Sequence, residues 1–206
     1  QRYFKAREYL SVGRYLEAKS LFEALRDYKD SANQVLICEN KMIEQQYQDA
    51  VALYEQGNFE EALAAFEQLL KLQPGKRSYL LNRAVCLSKL KRYADALKDL
   101  YRLNYETPDD QNVNRVLAWT LTCADKYEQA EKIYSQLLSA NPQQEDLLNY
   151  GYCLWLGGHA DEAADCFHRY LKETDDQPRD ILSKERELLI EKGITEPEMQ
   201  LMLYIL

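Results

Sequence analysis

The 206 residues contain two histidines, His159 and His168, and five cysteines, Cys38, Cys86, Cys123, Cys153 and Cys166. These are the residue types from which metal centres and nucleophile–base pairs are built. Their spacing supports neither. A His159/Cys166 metal pair finds no two further ligands at nearby spacing, and no C-x-x-C occurs. Cys86 and Cys153 each follow a small residue, Ala84 and Gly151, by two, on the helix side expected to face inward, where a thiol acts as a small hydrophobe. Gly157-Gly158 leads into no phosphate-loop pattern and reads as a turn between helices. The chain is therefore expected to be no enzyme, with no catalytic residue, no metal and no cofactor. An odd cysteine count cannot close into a complete set of internal disulfides, which points to reduced thiols and a cytoplasmic protein. The start at Gln1 reads as that of an excised fragment, which would hide any signal peptide.

Composition narrows the class further. Apolar residues make up 46% of the chain, enough for a core, yet no run is long enough to span a membrane. The 26 basic against 34 acidic residues leave a formal charge of −8, which repels nucleic acid and anionic lipid. Neither partner is expected. Seven glycines and five prolines are too few for a sandwich or barrel that turns every ten residues.

The prolines are also ordered. Pro74, Pro108 and Pro142 lie 34 residues apart, as do Phe59, Tyr93 and Tyr127; Ala62, Ala96 and Ala130; and Phe66, Leu100 and Tyr134. Four coincidences in one register mark a solenoid repeat. Within each period the apolar positions step by three and four, as in Phe59, Ala62, Leu63, Phe66, Leu69 and Leu70, giving an amphipathic helix. Gly57 can end the helix before it, and Asn58 with Glu61 can cap the one after it. The unit is a helical hairpin. Its alanine lets two helices cross closely, and its proline ends the second.

These residues resemble the tetratricopeptide repeat (TPR) family, whose second helix reads Ala-x3-Phe and closes on Pro. The pattern appears as Ala62-x3-Phe66…Pro74, Ala96-x3-Leu100…Pro108, Ala130-x3-Tyr134…Pro142 and Ala163-x3-Phe167. Ala50, Ala84, Ala118 and Gly151 hold the small position of the first helix, and Leu53, Leu87, Leu121 and Leu154 the bulky one. The family's usual Trp is missing, with Gln46, Leu80, Asn114 and Leu147 in its place, so the array is a divergent one, taken as bacterial in type. The fourth repeat is shortened by one residue, so its inter-repeat turn should be tighter. The resemblance implies an all-α fold, an α-solenoid of about twelve helices stacked as antiparallel hairpins in a right-handed superhelix. Hairpins are expected near 1–26, 31–74, 77–108, 111–142 and 144–173, forming a solenoid over 1–175. The stretch 31–56, opening on a Ser31-x-x-Gln34 capping box, reads as one unusually long helix.

Beyond 175 an acidic linker and capping helices are expected over 176–206, the last of them cut short. Glu173 to Glu198 holds nine acids against four bases, a net −5, and the repeat register lapses there. A helix is expected from about Asp180 to Lys192, stopped by Gly193. A Thr195-x-x-Glu198 capping box then opens a last helix, Met199 to Leu206, apolar on every side and so expected to be buried.

For function, the resemblance implies an interaction scaffold whose first helices line a concave groove for a peptide or helix of a partner protein. The groove candidates are Tyr47, Tyr54, Asn82, Arg115, Trp119, Asn149, Tyr152 and Trp155, and they include both tryptophans of the chain. Aromatic anchors with a few amides and one Arg suit protein recognition. Two fillings stay open: a partner segment, or the chain's own C-terminal helix. TPR co-chaperones hold an acidic chaperone tail with cations, but the matching positions carry Tyr47, Val51, Asn82, Asn112 and Val116. That ligand class is not expected, and a more apolar one is. The alternatives are self-assembly as a homodimer through Met199–Leu206 and service as the regulatory arm of a larger enzyme or sensor.

Overall fold

The computed structural model describes every residue from Gln1 to Leu206. Its elements are thirteen α-helices: α1 Arg2–Ser11, α2 Tyr15–Leu25, α3 Ser31–Glu55, α4 Phe59–Leu72, α5 Arg77–Lys89, α6 Tyr93–Glu106, α7 Gln111–Cys123, α8 Tyr127–Ala140, α9 Gln144–Leu156, α10 Ala160–Glu173, α11 Pro178–Lys184, α12 Arg186–Glu191 and α13 Glu196–Ile205. No helix is long and apolar enough to cross a membrane.

One local device makes all the hairpins. At Gly57 the chain turns left-handed, with φ +80°. The Gly57 amide donates to Tyr54 O and the Asn58 amide to Leu53 O, which satisfies carbonyls left over at the end of α3. The same pair of bonds recurs at Gly13, Lys91, Asp125 and Gly158. Lys91 and Asp125 hold this conformation at φ +59° despite their side chains. Each hairpin then ends near its proline: α4, α6 and α8 stop two residues before Pro74, Pro108 and Pro142. The linker between α8 and α9, residues 141–143, is one residue shorter than 107–110, which accounts for the shortened fourth repeat.

Two of the expected helix starts are built differently. Asp30, not Ser31, stands at the N-cap of α3; Ser31 already lies in the helix, and Gln34 Nε2 donates to Asp30 Oδ2 at 2.7 Å. Asn58 is the N-cap of α4, but its side chain makes no capping bond. The α3 helix itself runs unbroken over 25 residues.

The chain divides into two compact units, 1–79 and 80–206. In the first, Tyr3, Ala6, Ala18, Phe22 and Cys38 form a core between α1, α2 and α3. Ala50, Ala62, Leu63, Phe66 and Leu69 are buried further along α3 and α4. In the second, the small positions let helices cross closely. A Cβ on Gly151 would lie 2.3 Å from the Phe167 ring, so only glycine fits where α9 crosses α10. Ala84, Ala96, Ala118, Ala130 and Ala163 are likewise fully buried.

The C-terminal segment belongs to this second unit and departs from expectation in three ways. The helix expected over 180–192 is broken at Glu185 (φ −124°, ψ 26°) into α11 and α12. Arg186 stands seven residues before Gly193, the position where other first helices carry Ala or Gly before their turn. The break takes its long side chain outward, to Glu196 at 2.6 Å. Second, the register does not lapse. Gly193, 35 residues after Gly158, makes the same left-handed turn, with Gly193 N donating to Ile190 O and Ile194 N to Leu189 O. Third, α13 is half covered. The Thr195/Glu198 capping box forms and Met199 and Met202 are buried, but Leu201 is 59% and Tyr204 89% exposed.

Candidate protein-binding face

The first helices of the second unit bring the aromatic candidates together. Trp119 on α7 meets Tyr152 on α9 edge-on at 6.2 Å, and Tyr152 and Trp155 both pack on Phe167 of α10, at 5.4 and 6.3 Å. This apolar face is occupied. Ile181 and Leu182 of α11, Leu189 of α12, and Met199 and Met202 of α13 join Leu147, Leu148, Tyr152 and Trp155 in one core. Tyr152 is 0% and Trp155 7% exposed, and the Tyr152 hydroxyl donates to Ile181 O at 2.5 Å. Trp119 remains half-buried at the edge of the cluster.

Polar contacts hold the segment in register. Lys192 Nζ donates to Cys123 O, the free carbonyl at the end of α7, and to Asp125 Oδ1, both at 2.7 Å. Lys91 Nζ pairs with Glu191 at 2.5 Å. Burial pushes the Glu185 carboxyl above its ordinary range, and the Lys89 ammonium partly offsets this. Burial also raises Asp125, but the Lys192 ammonium and the Tyr127 hydroxyl outweigh it and hold the carboxyl below its usual value. The α11–α12 segment is thus a bound ligand in all but covalent connection: apolar anchors inward, acids at lysines on the rim.

The remaining candidates have other tasks. Arg115 on α7 grips Asp146 at the start of α9 with Nε and Nη2, at 2.9 to 3.1 Å, and Nη2 also reaches Asn141 O. It ties one hairpin to the next. Tyr47 and Tyr54 lie in the first unit, where Tyr47 packs on Phe66 and Tyr79, and Tyr54 on Phe59. Asn82 on α5 and Asn149 on α9 are half-buried. Sequence reasoning missed Lys89, Lys91, Glu185, Glu191 and Lys192; the spacing from Gly158 to Gly193 was the one available signal that the C-terminal segment is structured like a repeat.

All five cysteines are free and buried. Burial pushes Cys86 and Cys153 up to about 11 and Cys123 up to about 12, so none of these three is an activated nucleophile. No three His, Cys, Asp or Glu side chains approach closely enough to hold a metal ion. His159 sits in its exposed turn, 3.9 Å from Glu131.

A family model described as tetratricopeptide repeat matches residues 47–110 and 117–178, more than half of the chain. The chain belongs to the tetratricopeptide repeat family. No curated protein matches it at comparable stringency. Among solved structures, a thermophilic TPR protein from Thermus thermophilus is 25% identical, with a TM-score of 0.60 over 78% of this chain and 87% of that one. A tetratricopeptide repeat protein from Parabacteroides merdae is 18% identical, TM-score 0.60, over 97% and 77%. MamA from Desulfovibrio magneticus, residues 41 to the end, is 19% identical, TM-score 0.58, over 83% and 92%. At these identities the likeness is one of TPR fold, and TPR proteins are interaction scaffolds.

Proposed function

We propose that this TPR protein is a non-catalytic scaffold that takes a helix or peptide of a partner protein on the first-helix face around Trp119. The observation that supports this reading is the seating of α11 and α12 on the face: it accepts an apolar helical segment and matches its charges. Half-buried Trp119 is the anchor left within reach of a partner. The five free cysteines are consistent with a reducing compartment such as the cytoplasm.

The test is affinity capture with the whole chain and its Trp119→Ala variant, bound proteins being identified and helix content followed by circular dichroism. Capture falls about tenfold while helicity is kept, in line with loss of an aromatic anchor. Equal capture by both proteins would remove this face from the reading.

A second reading is self-assembly through α13. The exposed edge of Leu201, Tyr204 and Ile205 favours it, because a last helix with this much apolar surface in water gains by pairing.

A further inference from the structure

The first-helix face of the second unit carries a ligand that is part of the chain. We infer that α11–α12 is an intramolecular stand-in, and that the face is selective for acidic amphipathic helical segments that compete with it. The inference rests on the proposed reading of this face and adds the chemistry of the partner.

Three features define what the face takes. The apolar demand is set by Ile181 and Leu182, buried against Tyr152 and Trp155, and by Leu189, buried one to two turns further on. The acidic demand comes from two lysines. Lys89 offsets the burial of Glu185, and Lys91 binds Glu191. A carbonyl end is also used: Cys123 O accepts from Lys192, which closes the far end of the segment. A partner therefore needs a branched aliphatic pair, a leucine seven residues after it, and a carboxylate two beyond that, as in Ile181-Leu182…Leu189-x-Glu191. Basic or wholly apolar helices leave Lys89 and Lys91 without acids.

The segment is also built to leave. It is broken at Glu185, which burial holds at a cost, and it joins α10 through residues 174–177, outside any helix. Its tethering makes the effective concentration in cis high, so a free competitor meets an occupied face. Loosening the tether contacts exposes the site.

The probe is a labelled peptide of residues 177–194, added to the full chain and read by fluorescence anisotropy. Three proteins are compared: the unaltered chain, Leu189→Asp, whose tail has lost its central anchor, and Lys192→Ala, which gives up only the bonds to Cys123 O and Asp125. The Lys192→Ala variant serves on its own if Leu189→Asp loses helicity. The peptide binds the altered chains about tenfold more tightly than the unaltered one, since removing occlusion raises apparent affinity in proportion to the open fraction. A peptide with Glu191→Lys binds about threefold more weakly, as expected for one exposed ion pair, and regains the loss on a chain carrying Lys91→Glu as well. No gain in either altered chain, or equal binding of a scrambled peptide, overturns the inference. The two readings fail separately. Peptide docking with unchanged partner capture in Trp119→Ala sinks the proposed function alone; capture lost in Trp119→Ala with no peptide docking sinks the inference alone.

Discussion

Asp146 is 1% exposed, and its neighbours supply the hydrogen bonds that water would. Arg115 grips both of its oxygens, and Gln143 N donates to it at 2.8 Å in the capping box that opens α9. Removing one partner of such a pair leaves a buried charge uncompensated, which costs about 3 to 5 kcal/mol. Arg115→Met should therefore lower the urea midpoint reported by tryptophan emission, a probe confined to the second unit because both tryptophans lie there. Adding Asp146→Asn, which keeps the cap and removes the charge, should restore more than half of the loss; no recovery would mean that Arg115 acts through its packing. The position of Arg115 on a first helix was legible, but its partner was not. Asp146 lies 31 residues away, and no local pattern distinguishes a cation aimed at a neighbouring hairpin from one aimed at a ligand. Trp155 has the same history: an aromatic suited to recognition and an aromatic suited to a core share one composition.

The short helix α12 shows what an element adds. Glu185 lies near Lys89 of α5, Cys123 of α7 and Tyr152 of α9, and its carboxyl sits above the ordinary range through burial. A raised folded-state value means that the docked segment holds a proton more tightly than the released one. Docking is thus strongest at a pH below the ordinary glutamate value and weakens as pH rises through the raised one. Glu185→Gln should remove that dependence. Protease cleavage at residues 174–177 should be slower in the variant than in the native chain at pH 7.5 and equal in the two at pH 4. A difference unchanged with pH would show that burial of Glu185 does not govern docking. The hairpins were readable because the turn and crossing residues repeat at 34: Gly57, Ala62, Phe66 and Pro74 state a local rule that the chain obeys again and again. The break at Glu185 was not readable, since Ile181 to Ile190 has an acceptable helical pattern. The bend arises where Arg186 takes a site reserved for Ala or Gly, a conflict that exists only between helices.

For the molecule as a whole, α13 is the element with apolar surface to spare. Leu201, Tyr204 and Ile205 form its exposed edge, while Met199 and Met202 are spent inside. If this edge pairs two copies, light scattering over a range of concentrations should show a dimer that Tyr204→Glu dissociates without changing helicity; a monomer at every concentration would discard the second reading. An all-helical repeat fold, the hairpin turns, the close-crossing alanines and the aromatic face were all written in the order of the residues, because each follows from residue types at short, repeated separations. Packing in three dimensions settled the rest: that this face is filled, that Gly193 turns a further hairpin back toward Asp125 and Lys91, and that Arg115 serves Asp146. Those outcomes depend on burial and charge pairing between residues 31 to 100 positions apart, where chain connectivity imposes no register and contact alone selects the partner.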